Sequence, residues 1–450
     1  MSDARPALFV DVDTGVDDAL ALAYLLGQLS AGVGVPGAGA KRTGAGTGLG
    51  AGAGVADAGA PDFADLAVIA SYGNVAQTTS ERNTWAVLDL LGCTDVPVFA
   101  GASSPSWANA FIPDAGCAIF HGVNGLGGVD AVRFGGASTN GIVPAADLEA
   151  GVALLAARDP CLSVGGYVPG DPHANPAWGS AREFVGTGQA AQLFATRLGE
   201  ATASDGQTGE MSAAAHPGVP TPSSSRVGGV NGETVPLSAG ASEVIRALER
   251  GPVQLITLGP LTTAAQVVRH RPDLLERLSV VSMAGALDEP GNCWDGVSET
   301  NVIQDPQAAD TVFASAANVT VVGLDVTHRC LLPASAVESW RGTPAGDFFA
   351  EIARFSIRAN AASDPIFARG MPLHDPLAVA CALDTTYVRC EELPLRVQLE
   401  TRGAAVRGRT VAAGAGFPTS GRYVHVALEV DSRRFVEDLC SAVATAVGAA

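Results

Sequence analysis

Four carboxylates fall within eight positions of one short stretch: Asp11, Asp13, Asp17 and Asp18 in VDVDTGVDDALAL, residues 10–22. Like charges this close raise one another's pKa unless something positive sits among them, so a bound hard cation is the economical reading. Helix capping accounts for Asp17 and Asp18, which suit the positive end of a helix dipole. It does not account for Asp11 and Asp13, which close an apolar run. An EF-hand loop is excluded, because its required Gly and Glu positions, counted from Asp11, hold Val16 and Leu22. A phosphatase with an Asp nucleophile could use Asp11 and Asp13. It needs a basic residue at the phosphoryl group, and the single lysine, Lys41, lies in a Gly/Ala tract. Gly15 also stands where that motif usually carries Thr or Val.

Other polar residues gather just beyond apolar segments. They are Asn74 after LAVIASYG, Asn292, Glu299 and Asn301 in GNCWDGVSETN, and His374 with Asp375 in PLHDPLAVA. Singly, each has an ordinary reading as a turn residue, a helix start or a core histidine. Jointly they suit a polyhydroxylated ligand held around a metal. Amides and carboxylates bond vicinal hydroxyls, while carboxylate oxygens hold the cation.

Such groups need a frame that brings distant segments together. Leu8, Phe9 and Val10 read as a buried parallel strand, and the apolar residues from Ala19 onward recur at helical spacing. Asp13 then lies at the carboxyl end of a strand, where open α/β sheets bind ligands. Strands are predicted at 66–74, 96–100, 253–259, from 280, and at 319–325. Helices are predicted at 79–91, 242–249, 261–270, 306–316, 335–341, 346–362 and 375–383. The tail carries strands at 395–399 and 423–430 and a closing helix, while 107–128 and 286–304 read as loops. This alternation indicates an α/β fold, an open, doubly wound, mostly parallel sheet flanked by helices.

Two stretches depart from the pattern: a Gly/Ala-rich one at 31–63, and a Gly/Ala/Pro/Ser-rich one at 136–240 with a helical segment near 181–197. The first carries too few bulky apolar residues to offset the entropy of ordering. Both read as insertions within a single domain spanning 1–450. The GxGxxG spacing of Gly32, Gly34 and Gly37 follows a helix instead of a strand, so it is chance within low complexity.

The formal charge of −19 argues against nucleic acid and anionic membranes as partners. Eight scattered cysteines without a CxxC pair indicate reduced thiols. The start MSDARPALFV has no signal-peptide pattern, and no run of about 18 apolar residues occurs. A cytoplasmic protein is expected.

With these residues in view, DVDTGVDDALAL resembles the N-terminal signature of the nucleoside hydrolases, the inosine/uridine-preferring and related ribohydrolases. Further segments match that family in order: YGN (72–74), HGVNGLGG (121–128), LGPLTTAA (258–265), SMAGAL (282–287), ETN (299–301), DPQAA (305–309), LDVTH (324–328) and HDPLAVA (374–380). The similarity covers roughly 7–30, 64–135 and 242–450. It implies a Ca²⁺ held by Asp13, Asp18, Asp375 and the backbone carbonyl of Leu258, with Asp13 also the general base. Asp17 and Asn301 would take the ribose 2′-hydroxyl, Asn74 and Asp375 the 3′-hydroxyl, and Asn292 and Glu299 the 5′-hydroxyl. His121 and His374 would line the nucleobase side, with His374 the proton donor. The substrate would be a nucleoside, and the assembly a homodimer or homotetramer. Two departures stand out: one extra residue between Asn292 and Glu299, in a loop with Trp294, and Thr14 in place of the proline of some members. His374 resembles the inosine/uridine type, whereas purine-specific members carry Trp there; Trp107 or Trp294 could stack on a purine.

The chemistry is coherent on its own terms. Breaking an N-glycosidic bond builds positive charge on the sugar, which a nest of carboxylates stabilises. A base leaves more readily once protonated, which suits a histidine titrating near pH 7.

Overall fold

The computed structural model describes residues 6–30, 65–111, 113, 115–136, 237–400, 406–412 and 422–449. Most of the two stretches read as insertions therefore lies outside the described residues, as does the helix expected near 181–197.

The chain begins with β1 (Ala7–Val12) and α1 (Val16–Ser30), then β2 (Leu66–Ala70), α2 (Gln77–Leu90), β3 (Val98–Ala100) and α3 (Ala115–His121). After the second gap come α4 (Ala239–Arg250), β4 (Val253–Thr257), α5 (Thr262–His270), β5 (Leu278–Met283), α6 (Thr300–Gln304), α7 (Pro306–Phe313) and β6 (Asn318–Val322). There follow α8 (Leu324–Thr327), β7 (Leu331–Leu332), α9 (Ala334–Val337), α10 (Pro344–Ser363), β8 (Met371–Pro372) and α11 (His374–Leu383). The chain closes with β9 (Val388–Leu393), β10 (Leu395–Val397), β11 (Thr410–Ala412), β12 (Val424–Val430) and α12 (Ser432–Ala446).

Eight strands form the main sheet in the order β3-β2-β1-β4-β5-β6-β12-β9. All neighbours pair parallel except β9, which runs antiparallel to β12 at the edge. The chain starts at β1, winds outward through β2 and β3, and returns to β4 on the other side. The crevice beyond the carboxyl ends of β1 and β4 is thus a topological switch point, where such sheets bind ligands.

Alternation along β1 explains how both faces are filled. Leu8, Val10 and Val12 enter one apolar cluster with α1 and α11, while Phe9 enters the other with α4 and α5. Helix α1 is buried all along Val16–Gly27. An almost entirely apolar helix suits that central place, and it carries Asp17 and Asp18 inward with it.

The structure departs from the sequence reading at short elements. The segment 107–128 holds α3, and 286–304 ends in α6; seven and five residues are too few to show a helical period. Helix α4 starts at Ala239, capped by the Ser238 hydroxyl, so it reaches into the stretch read as an insertion. Edge strand β9 was not anticipated, because VRCEEL is half polar. The strand expected at 395–399 pairs with β11 outside the main sheet.

Candidate active site

Asp13 follows β1 in the turn into α1. Its backbone N–H donates to Asp18 Oδ1 at 3.1 Å, and the Gly15 N–H donates to Asp18 Oδ2 at 2.8 Å. A side chain at Gly15 would collide with His121 Nδ1 and the Asn74 amide, so the turn requires glycine. From the β2 side, Asn74 grips Asp13 twice: its N–H donates to Oδ2 at 2.7 Å and its Nδ2 to Oδ1 at 3.0 Å. Any Cβ at Gly73 would run into that carboxylate.

Asp17, Asp18 and Asp375 present oxygens within 4.8 Å of one another. Asp375 arrives from the first turn of α11. Asp13 sits beside Asp18 and outside this trio, whereas the resemblance set it among the ligands in preference to Asp17. All four are buried, none more than 6% exposed. Burial pushes every one of their pKa values up, that of Asp17 to about 6, and repulsion from neighbouring carboxylates adds to the rise for Asp13, Asp18 and Asp375. Among the described residues none of the four pairs with an arginine, and Asp17 Oδ1 has no hydrogen-bond partner. An all-oxygen nest with an orphaned buried oxygen fits a hard divalent cation.

The carbonyl of Leu258, just past β4, accepts from Asn301 Nδ2 at 2.7 Å. One of its two lone pairs remains. Asn301 Nδ2 also donates to the Met283 carbonyl at 3.0 Å, which leaves the amide oxygen to meet a ligand. Glu299 caps the same helix: Oε1 accepts from the Asn301 N–H, and Oε2 from the Gly285 and Val302 N–H groups. Burial drives Glu299 up to about 7 against those donors. Asn292 is exposed, and its Oδ1 is spent on the Thr300 N–H and hydroxyl at 3.0 and 3.1 Å. The structure thus ties Asn74 to the carboxylates and Asn301 to the Leu258 carbonyl, holds Glu299 on backbone N–H groups, and leaves Asn292 tied within its own loop.

His121 ends α3, and its Nδ1 accepts from the Val16 N–H at 3.2 Å. That nitrogen is therefore unprotonated, and burial drives the ring's pKa down to about 4. Its 3.5 Å approach to Asp17 is accordingly a contact of a neutral ring, not an ion pair. His374 Nδ1 lies 2.8 Å from the Thr327 hydroxyl. Burial, then the neighbouring His328 and His121, hold His374 well below the usual histidine range. The expectation of a histidine titrating near neutrality is corrected: desolvation outweighs the pull of Asp18 on His121, and at His374 the neighbouring histidines add to it.

Asp11, read above as a rival nucleophile, is 1% exposed, with Oδ1 taken by the Ser71 hydroxyl at 2.5 Å. Burial pushes it up to about 7. Asp11 lies inside β1, paired on both sides with β2 and β4, and its Oδ1 is turned to Ser71, so the phosphatase reading loses its central residue.

Three site-bordering residues drew no attention in the sequence. Gln304 donates from Nε2 to the Gly73 carbonyl at 3.3 Å, bracing the Asn74 loop. Thr327 holds His374, and His328 stacks edge-on against it with ring centroids 5.6 Å apart. The only sequence signal for the last two was their place in LDVTH, just past a strand. Trp107 and Trp294 are 55% and 74% exposed. The Trp107 indole N–H bonds the Gln304 carbonyl at 2.9 Å, with Arg407 over its ring.

Comparison with known proteins bears on this arrangement. The family model for the inosine-uridine preferring nucleoside hydrolases matches residues 53–437. The pyrimidine-specific ribonucleoside hydrolase RihA of Salmonella gallinarum is 30% identical over 220 residues, 46% of this chain and 70% of that protein. The inosine-uridine preferring nucleoside hydrolase of Leishmania major is 34% identical over 171 residues, 38% and 52% of the respective chains. The solved purine-preferring ribonucleoside hydrolase from Gardnerella vaginalis is similar with a TM-score of 0.62 at 25% identity, covering 99% of this chain and 100% of that one. A plant nucleoside hydrolase shares the fold, with a TM-score of 0.60 at 18% identity.

Proposed function

This chain belongs to the inosine-uridine preferring nucleoside hydrolase family, and from that premise we propose that it hydrolyses the N-glycosidic bond of ribonucleosides with Ca²⁺ as cofactor and Asp13 as general base. The observation that carries the cofactor is the nest of buried, mutually repelling carboxylates. Asp13, Asp18, Asp375 and the carbonyl of Leu258 would hold the ion, and Asp17 would turn its unpartnered oxygen to the ribose 2′-hydroxyl beside Asn301. When bound, the cation supplies positive charge that acidifies a water and orders vicinal hydroxyls. Asn74 and Asp375 would meet the 3′-hydroxyl and Glu299 the 5′-hydroxyl, to which Asn292 would bring only its amide nitrogen, its Oδ1 being held by Thr300.

Asp13, fixed by Asn74 on both oxygens, accepts the proton of the water that attacks C1′. The glycosidic C1′–N bond breaks with its electron pair on the base, and the surrounding carboxylates stabilise the positive charge passing through the sugar. His374 donates toward the departing base, with His121 on the same side. A ring held neutral by burial donates a hydrogen bond readily; full proton transfer first requires it to be charged, which burial opposes.

Among the described residues no helix is long and apolar enough to cross a membrane. We place the protein in the cytoplasm as a homodimer or homotetramer, which light scattering of the purified chain tests. The relatives' names range over pyrimidine, inosine-uridine and purine preference, so the base is left to experiment. The deciding assay follows free base from inosine, adenosine, guanosine, uridine and cytidine, with and without chelator. Release should stop with chelator and return with Ca²⁺. Binding of nucleosides in Ca²⁺ without release of base would make this a nucleoside-binding protein instead.

A further inference from the structure

We propose that Thr327 is a positioning residue for the leaving-group side of the reaction: its hydroxyl holds His374 by Nδ1, so that Nε2 is the nitrogen left to meet the base. The inference rests on the assignment of His374 to the base made above. Thr327 is fully buried at the end of α8, the short helix that follows β6. Its Oγ1 lies 2.8 Å from His374 Nδ1, a contact across 47 positions of sequence.

That contact is built in by the backbone. The Cys330 N–H donates to the Thr327 carbonyl at 3.1 Å, and the Leu373 N–H to the Cys330 carbonyl at 2.9 Å. Strands β7 and β8 then pair antiparallel, Leu331 with Pro372 and Leu332 with Met371. The two segments are zipped together, so the hydroxyl and the imidazole cannot drift apart independently. His328, the next residue, packs edge-on against the His374 ring and against Phe367, at 5.6 and 5.2 Å between centroids. The aromatic contacts hold the plane of the ring, but a stacked imidazole can still turn over and exchange its two nitrogens. Only a directional bond to one nitrogen removes that freedom, and the Thr327 hydroxyl supplies it.

The test compares Thr327→Val, Thr327→Ala and Thr327→Ser on two substrate types in saturating Ca²⁺. Uridine or inosine leaves as a base that needs a donor, whereas p-nitrophenyl riboside releases a phenolate that does not. Losing one hydrogen bond that acts in the transition state should lower kcat on the nucleoside about tenfold in the Val and Ala variants. KM should move little, and p-nitrophenyl riboside turnover should stay within about twofold. Ser keeps the hydroxyl and should restore nucleoside turnover. If the Val variant does not fold, the Ala and Ser pair carries the same comparison. Equal losses on both substrates, or none on either, would overturn the positioning role. His374→Ala, measured alongside, separates the two layers: if it too slows both substrates equally, the assignment of His374 to the base is what has failed.

Discussion

Carboxylates gather hydrogen-bond partners at one kind of place in this protein and one another at a second, and the fold treats the two in opposite ways. Between α1 and α12, Asp438 Oδ2 accepts the Tyr24 hydroxyl at 2.8 Å, Gln28 Nε2 at 2.5 Å and the Tyr387 hydroxyl at 2.7 Å. Asp325 is similarly served by the backbone N–H groups of Leu287, Asp288 and Glu289. These acids are completed by the chain and act as fasteners. At the end of β1 and the start of α11, Asp17, Asp18 and Asp375 bring oxygens within 4.8 Å of one another with no cationic side chain between them among the described residues, and an oxygen of Asp17 goes unpartnered. The fold completes one kind of acid and leaves the other waiting for a partner from outside. Buried unsatisfied charge is costly, so a chain retains it where a ligand will supply the missing interactions.

The contrast is broken most directly at Asp13. Asp13→Asn should lower nucleoside turnover by about 10²–10⁴-fold, the range for a general base, even in saturating Ca²⁺. It should also weaken Ca²⁺ more than Asp17→Asn does, which isothermal titration can read. A larger affinity loss for Asp17→Asn would transfer the ligand role to the trio that the structure draws together.

Next in size is a pH effect at Glu299. Its carboxyl titrates near 4.5 unfolded and about 7 folded, so the proton is held more tightly in the fold. Its contribution is full below pH 4.5 and is lost as pH rises toward 7, on the order of 3 kcal/mol across that window. Glu299→Gln, measured by urea unfolding at several pH values, should remove this part of the slope while costing stability overall. An unchanged slope would show that the three backbone donors keep the carboxylate ionised throughout.

Smaller still is the effect of opening the completed acid. Asp438→Asn should cost about 1–3 kcal/mol of stability, because it unbalances a network of three donors, and should leave kcat untouched. A drop in turnover as large as that from Asp13→Asn would erase the distinction between fastener and site. The smallest change is expected from replacing residues 31–63 with a short linker, which should leave Tm and turnover nearly as they were. That expectation comes from composition, together with the endpoints of α1 at Ser30 and β2 at Leu66. Loss of folding would mean the stretch packs on the sheet.

Much of the architecture could be read before any coordinates. Runs such as LAVIA and VQLIT are long and apolar enough to declare buried strands, and polar residues at their ends announce a ligand crevice in a parallel sheet. The short helices α3 and α6 could not be read that way, because a helix of one or two turns has no period to detect. Yet they carry His121 and Asn301.

By itself the sequence determined the strand–helix alternation, the clustering of Asp13, Asp17 and Asp18, and the family segments that bring Asn74, Asn301 and Asp375 into the same account. Those signals are local: periodicity, charge density and ordered motifs. Tertiary structure alone decided which acid joins which. Asp11 and Asp13 are two positions apart, but Ser71 claims the first and Asn74 the second. It also decided the state of the histidines, since burial, which no single stretch of sequence encodes, outweighs Asp18 beside His121 and, with the neighbouring histidines, holds His374 low. And it set Thr327 against His374, because a bond between residues 47 positions apart exists only once β7 and β8 have paired.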